Sequence, residues 1–354
     1  FSTLKILRAP NFRDFRQAFR AKLGRNFIVP ANSFDNVKGQ FPIGFFIWDT
    51  NQKEVFEETT TTIYDSKGEE LGNKLISSYL NDTNVIVWLR QYYDKQGESI
   101  GFLRMNGTNI QNNLGIYITS KLSDNDIHNH FYAEITKTNI LPMCIYLSIR
   151  ETVNANWIND RDQYLVPSSK WEDDKEFQYN CLIHSLFSGQ NRIQSQHGTN
   201  HWIPFSEEEV GAQDNFESHF IHDFIMGKVK EEKPQQKETM QDLFAEQELQ
   251  TTGGSSFTPT GPLEFSQEAQ AVLDAGRELW RYYHKQAGAN PNASYYDIKM
   301  HFQGTKTTKS GKLQMNSTSE DATYNTLLAN LRQAMKGLAA HNEPKVYEYS
   351  LLKK

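Results

Sequence analysis

Phe27-Ile-Val-Pro-Ala-Asn-Ser-Phe-Asp-Asn-Val-Lys-Gly-Gln-Phe-Pro-Ile-Gly-Phe-Phe-Ile-Trp-Asp-Thr50 reads as a strand, a gripping loop and a second strand. Residues 27–29 and 43–48 are short apolar runs of aromatic and β-branched character, bounded by Pro30, Gly39, Pro42 and Asp49. That is the punctuation of buried strands joined by a loop. Between the strands lie Asn32, Phe34, Asp35, Asn36 and Lys38. An aromatic ring among polar groups and a lysine suits a pocket that stacks a planar base beside a phosphate backbone. Phe34 and Asn36 are therefore candidate base-binding residues, and Lys38 is a candidate DNA contact.

At 354 residues, 38% hydrophobic and 12% aromatic, the chain can build two or three compact units with their own cores. Its two cysteines, Cys144 and Cys181, both lie in apolar runs. Such thiols are expected to be buried and reduced, as in a cytoplasmic protein, and are too few for a structural zinc site. No signal-peptide pattern opens the sequence, and the longest apolar run, 140–149, falls short of the roughly 20 residues a bilayer span requires. No membrane partner is expected.

The net charge of −6 argues against nucleic acid until its distribution is considered. Residues 1–53 hold nine basic side chains, among them Lys5, Arg8, Arg13 and Arg16, against Asp14, Asp35 and Asp49. The acid sits elsewhere, in Glu207–Glu209 and in 231–248. Binding to DNA follows the local field along the contact face, so a basic module inside an acidic chain remains a good binder. The same arginines also suit a plainer role. Phe12, Phe15 and Phe19 recur at helical spacing in 11–23, which makes the cations the solvated face of an amphipathic helix.

Further along, 54–64 reads as a strand, 65–68 as a hairpin turn and 69–74 as its return. Residues 82–93 carry a helical apolar stripe, and 100–104 and 115–118 read as strands around a polar loop at 105–113. That loop is dense in amides. With Arg104 at its base, it makes Asn109, Gln111 and Asn112 candidate DNA contacts, because Asn and Gln can bond an adenine edge in pairs. A solvated turn is the competing reading. Residues 140–156 form a buried helix or strand-helix passage closed by 159–162, and 175–186 reads as an amphipathic helix begun by acidic residues.

The segment 189–205 lacks helical periodicity and is rich in groups that touch DNA. Gln190, Asn191, Arg192, His201 and Trp202 are its candidates, with Arg192 suited to guanine or phosphate. His197 and His201 are four apart, but Gly198 and Thr199 between them spoil the helical geometry a metal pair requires, and no metal is expected. Composition changes at 228–262 to Lys, Glu, Gln, Thr, Gly, Ser and Pro, a linker with a short docking helix at 240–249 and a flexible run at 251–256. Ser266 caps a helix to His284, a second helix covers 320–340, and Lys306, Lys309 and Lys312 lie between them.

The 27–50 stretch resembles the seventh and eighth conserved motifs of bacterial adenine-specific, amino-methylating DNA methyltransferases from restriction-modification systems. Similar blocks recur at Asn11-Phe-Arg-Asp-Phe-Arg, Asn159-Asp-Arg-Asp-Gln, Asp174-Lys-Glu-Phe-Gln, Gly189-Gln-Asn-Arg-Ile and Asn200-His-Trp-Ile-Pro-Phe, so that the resemblance spans most of 1–230. It implies a mixed α/β and α+β chain in four parts. The C-terminal edge of a Rossmann-like methyltransferase sheet occupies 1–64, and a mixed target-recognition domain 65–227. A linker follows at 228–262, then a small helical C-terminal module at 263–354. It also implies double-stranded DNA as partner, S-adenosylmethionine as cofactor of the intact enzyme, and a flipped adenine stacked on Phe34.

The departures matter as much. The family's glycine-rich cofactor turn and its Asn/Asp-Pro-Pro-Tyr/Phe block have no counterpart, since none of the eleven prolines is followed by another and no Gly-x-Gly occurs. With Phe1 at the start instead of Met, the expectation is a C-terminal portion whose cofactor half, or a restriction partner, lies outside this sequence. Two alternatives stay open. One is a non-catalytic DNA specificity module. The other is a metal-dependent nuclease built on Asp173-Asp-Lys175 with Asp160 or Asp162 upstream, because such nucleases cluster carboxylates for magnesium and set a lysine near the attacking water.

Overall fold

A computed structural model describes residues 1–94, 96–229, 259, 261–309, 311 and 313–354. The first sheet holds β1 (Ser2–Thr3), β2 (Lys22–Pro30), β3 (Pro42–Asp49), β4 (Glu58–Tyr64) and β5 (Glu70–Ser77), in the order β1-β3-β2-β4-β5. β2 and β4 run parallel and the other neighbours antiparallel. β2 and β3 are the two strands expected from the 27–50 stretch. Their pairing runs from Lys22 opposite Asp49 to Pro30 opposite Pro42, leaving 31–41 as the loop. Alternation along the strands sends Ile28, Ile63 and Ile76 inward against Leu4, Leu7 and Phe56. Phe27 and Phe45, paired in register, go to the other face.

The second sheet holds β6 (Ser99–Met105), β7 (Tyr117–Thr119), β8 (Phe131–Thr136) and β9 (Asn191–Arg192), in the order β8-β6-β7-β9. A hairpin, β10 (Thr305–Thr307) with β11 (Leu313–Met315), stands apart. The helices are α1 (Lys5–Arg8), α2 (Arg13–Ala18), α3 (Val85–Arg90), α4 (Asp124–Asn129), α5 (Ile140–Thr152), α6 (Lys175–Leu186), α7 (Glu207–Val210), α8 (Phe220–Ile225), α9 (Gln267–His284), α10 (Tyr295–Gln303) and α11 (Ala322–Glu348). The chain is thus mixed α/β with a helical C-terminal part.

Local signals place several of these ends. Asp174 Oδ1 accepts the Phe177 N–H at 2.9 Å to start α6, and Ser266 Oγ accepts that of Ala269 at 3.1 Å to start α9, each satisfying a donor the helix leaves free. The expected amphipathic character of α6 does not hold: it packs between α5 and the pair α9 and α11, and is buried nearly all round. Its polar side chains are satisfied inside. Gln178 donates to the Trp171 carbonyl at 2.9 Å and Ser185 to that of Cys144 at 2.9 Å. Helix α5 is enclosed likewise, and burial pushes the Cys144 thiol up to about 12, which keeps it protonated and inert.

The helix expected at 11–23 is also corrected. A 3-10 turn at Pro10–Phe12 leads into α2, which ends at Ala18 so that β2 can begin at Lys22. Phe15 is exposed, whereas Arg16 is buried and donates to the carbonyls of Ile6 (3.2 Å) and Ala9 (2.8 Å). Tertiary carbonyl acceptors outweigh the helical periodicity here. The expected boundary at residue 64 falls inside the β4–β5 hairpin, and α9 and α11 share one continuous core with α5, α6 and the second sheet. The expected docking helix at 240–249, the 251–256 run and Lys312 lie outside the described residues. Among the described residues no helix is long and apolar enough to cross a membrane.

One glycine in that core sets a test. A Cβ on Gly276, in α9, would lie 2.3 Å from Cε1 of Phe187, a ring enclosed by Phe205, Trp280 and Tyr295. In an open helix, alanine for glycine gains about 1 kcal/mol. Here the ring has no room to retreat and overpacking of about 1–3 kcal/mol wins. Gly276→Ala is therefore expected to lower the urea midpoint, and a raised midpoint would show that Phe187 has space.

Candidate functional site

The 31–41 loop closes on itself through the Ala31 N–H, which donates to the Phe41 carbonyl at 2.8 Å. A 3-10 turn at Ala31–Ser33 throws Phe34 outward, and Asn36 takes the left-handed conformation (φ 66°) that Asn tolerates better than most residues. Phe34 is half-buried and Asn36 and Lys38 are exposed. The Phe34 ring lies near-parallel to Phe1 (6.0 Å between centroids) and to Phe45 (6.4 Å), and Phe45 stacks on Phe27 at 4.6 Å. Tyr64 meets Phe27 edge-on at 5.7 Å. These rings form a row on the outer face of the first sheet, with Phe1 84% and Phe27 37% exposed. A solvent-facing row of rings offers π-faces on which bases stack, independent of sequence.

Beside the row is a cleft of about 290 Å³. It is lined by Phe41 from the end of the loop and Pro42 from the start of β3, by Thr3, Leu4 and Lys5 around β1 and α1, and by Gln111, Asp160 and Arg161. The turn 159–162 places Arg161 Nε 3.1 Å from Asp160 Oδ2. Burial holds the Asp160 carboxyl above the usual range, opposed by Arg161 and Arg8. The Phe41 ring, the Gln111 amide and Lys5 thus line one cavity with the Arg161–Asp160 pair, the mix of apolar and polar groups that small-ligand sites use.

Gln111 sits on a 3-10 turn, Ile110–Gly115, that one buried arginine holds in place. Arg150 Nε donates to Asn113 Oδ1 at 2.7 Å, Nη2 to the Asn109 carbonyl at 2.9 Å and Nη1 to that of Gly107 at 3.2 Å. Its guanidinium lies 4.5 Å over the Tyr164 ring. Sequence reasoning passed over Arg150. The signal was there, a lone cation ending the apolar run 140–149.

The remaining candidates divide. Gln111 is exposed, Asn112, Gln190 and Arg192 are half-buried, and Arg192 lies 3.8 Å over the Tyr117 ring while donating to Gln190 Oε1 at 2.8 Å. His201 is half-buried, paired with Ser218 Oγ at 2.7 Å, and His197 is exposed and does not join it. Four expected DNA contacts are instead enclosed. Arg104 is 8% exposed and lies 3.3 Å from Asp126, and Asn109 is buried as the partner of Asn112. Asn191 donates to the carbonyls of Ser185 and Leu186 at the end of α6, and the indole of Trp202 donates to the Ile100 carbonyl at 2.7 Å. In each case interior polar partners have absorbed a side chain that composition alone would send to solvent.

Of the carboxylates of the nuclease alternative Asp173 is exposed, and the others are engaged. Asp162 lies 2.5 Å from Arg8 and 2.7 Å from Lys74, Asp174 caps α6 and pairs with Lys345 at 3.0 Å, and Lys175 donates to the Glu172 carbonyl. Among the described residues no group of three or more His, Cys, Asp or Glu side chains could hold a metal ion. Elsewhere, burial raises Glu151 to about 7 and lowers His184 to about 4, while Ser188 donates to Glu151. At neutral pH that interior pair carries less than a full charge. No protein-family model, curated protein or solved structure matches this chain.

Proposed function

We propose that this chain is the target-recognition portion of an adenine-specific DNA methyltransferase of restriction-modification type, acting in the cytoplasm. The observation that carries the reading is one juxtaposition. The loop that presents Phe34 also lends Phe41 to a cleft that Pro42 at the start of β3 and Gln111 of the amide-rich loop line as well. In this reading Phe34 stacks on the flipped adenine, Asn36 flanks it, and Lys38, Gln111, Asn112, Gln190 and Arg192 contact the duplex.

The residues present do not fit S-adenosylmethionine, since the sequence holds neither a Gly-x-Gly turn nor a Pro-Pro block. Methyl transfer is therefore assigned to the intact enzyme, and none of its steps to these side chains. Base stacking contributes about 1–3 kcal/mol. Phe34→Ala is accordingly expected to weaken binding of a duplex whose target adenine faces an abasic site by roughly 5- to 150-fold, read by fluorescence anisotropy. Equal affinity would remove Phe34 from the pocket. Sequence-selective binding with no labelled methyl taken up by the intact enzyme would make the protein a specificity module.

A further inference from the structure

Between Asp297 and Glu320 the sequence carries Lys299, Lys306, Lys309 and Lys312 and no acidic residue, in a chain whose net charge is −6. The structure raises Lys306 and Lys309 on a ribbon. β10 and β11 pair antiparallel, with Thr305 opposite Met315, Lys306 opposite Gln314 and Thr307 opposite Leu313, and among the described residues they join no other strand. Directly opposite residues share a face, so Lys306 and Gln314 stand side by side. Both are exposed, as is Lys309, and neither lysine forms an ion pair among the described residues.

The ribbon is fixed at its base. Gly304 ends α10 at a φ of 64°, a conformation that favours glycine, and turns the chain into β10. Gln303, itself buried, donates from Nε2 to the Asn316 carbonyl at 2.8 Å, while Asn316 Nδ2 returns a bond to the Gln303 carbonyl at 2.9 Å. The Tyr324 hydroxyl of α11 donates to Gln303 Oε1 at 3.1 Å. Both ends of the hairpin are thus tied to the helical core, and its projection is set before a partner arrives.

The cleft at this base, about 730 Å³, is lined by Lys306, Asn316, Ser317 and Thr318 together with Glu320 and Asp321. Asp321 is occupied within the fold, accepting the Tyr324 N–H at 2.8 Å and the Tyr282 hydroxyl at 2.9 Å, while Glu320 is exposed and opposes an anion. The exposed ribbon side chains Thr305, Lys306, Thr307, Lys309 and Gln314 are hydroxyls, ammonium groups and an amide. A protein partner would need an apolar centre to its interface. Sugar and phosphate oxygens are held by the groups present here, and the major groove of B-DNA, about 12 Å wide, admits a two-stranded ribbon.

We propose that the β10–β11 ribbon lies in the major groove of the duplex bound by the recognition segment, with Lys306 and Lys309 on its backbone phosphates, an inference that rests on the DNA reading above. The DNA footprint then reaches the C-terminal helices.

The test measures the affinity of the full chain for a random-sequence DNA duplex by anisotropy across a salt series. Wild type is compared with the double variant Lys306→Ala, Lys309→Ala and with Lys67→Ala at the exposed 65–68 turn, and an RNA duplex of the same sequence runs in parallel. On DNA the double variant is expected to reduce the slope of log affinity against log salt by about 1.8, about 0.9 for each phosphate released, with Lys67→Ala unchanged. On RNA its slope should stay at the wild-type value, because the A-form major groove is too narrow for a ribbon. DNA binding with an unaltered slope overturns the ribbon contact and leaves the DNA reading standing. An equal loss on RNA overturns the groove placement. If the wild type binds no DNA duplex, the function proposed above fails and this inference falls with it.

Discussion

Asp162→Asn is expected to cost about 3–5 kcal/mol of unfolding free energy, as breaking a buried ion pair from one side does. Asp162 is 4% exposed and stands between two cations, Arg8 Nη1 at 2.5 Å and Lys74 Nζ at 2.7 Å. An amide there leaves both without their counter-charge. Arg8 is fully enclosed and cannot shed its proton under working conditions. Lys74 can, since burial already lowers its pKa, so part of the cost is relieved by neutralising that lysine. The contact also ties α1 and β5 of the first sheet to the turn that lines the cleft. Urea denaturation at constant m-value reads the effect. A loss under about 1 kcal/mol would mean that water reaches the pair. The triple variant Arg8→Met, Lys74→Met, Asp162→Leu should regain most of the loss, because it removes the charges together.

Arg150→Met is the second large effect, again about 3–5 kcal/mol, and it reaches the site. The thioether fills the volume but leaves the buried Asn109 carbonyl without its donor, at about 1–3 kcal/mol for a buried group left unsatisfied, and frees the half-buried Asn113 amide and the carbonyl of exposed Gly107. Those groups shape the turn that carries Gln111. Amide exchange across 106–115 is therefore expected to speed up well beyond the global change, and DNA affinity to fall with it. Unchanged exchange in that loop would show that the turn holds itself and that Arg150 only fills space.

Arg150 and Asp162 also mark how far the sequence could be read. The β2–β3 hairpin, the 65–68 turn, α6 from Lys175 and α9 after Ser266 were all legible, because strand alternation, turn residues and helix caps act within a few residues of themselves. The exposure of Asn36, Lys38 and Gln111 and the half-burial of Phe34 agreed with their placement in loops. Arg104, Asn109, Asn191 and Trp202 were misplaced, and Arg8 and Arg16 were counted as surface charge.

The sequence by itself determined the elements and the loops that could carry chemistry, since those depend on neighbours along the chain. Only the tertiary structure decided which polar side chains face solvent. The partners that enclose them lie far away, as the separation of 102 positions from Ile100 to Trp202 illustrates, and a buried hydrogen bond or counter-charge outweighs the intrinsic preference of a polar group for water.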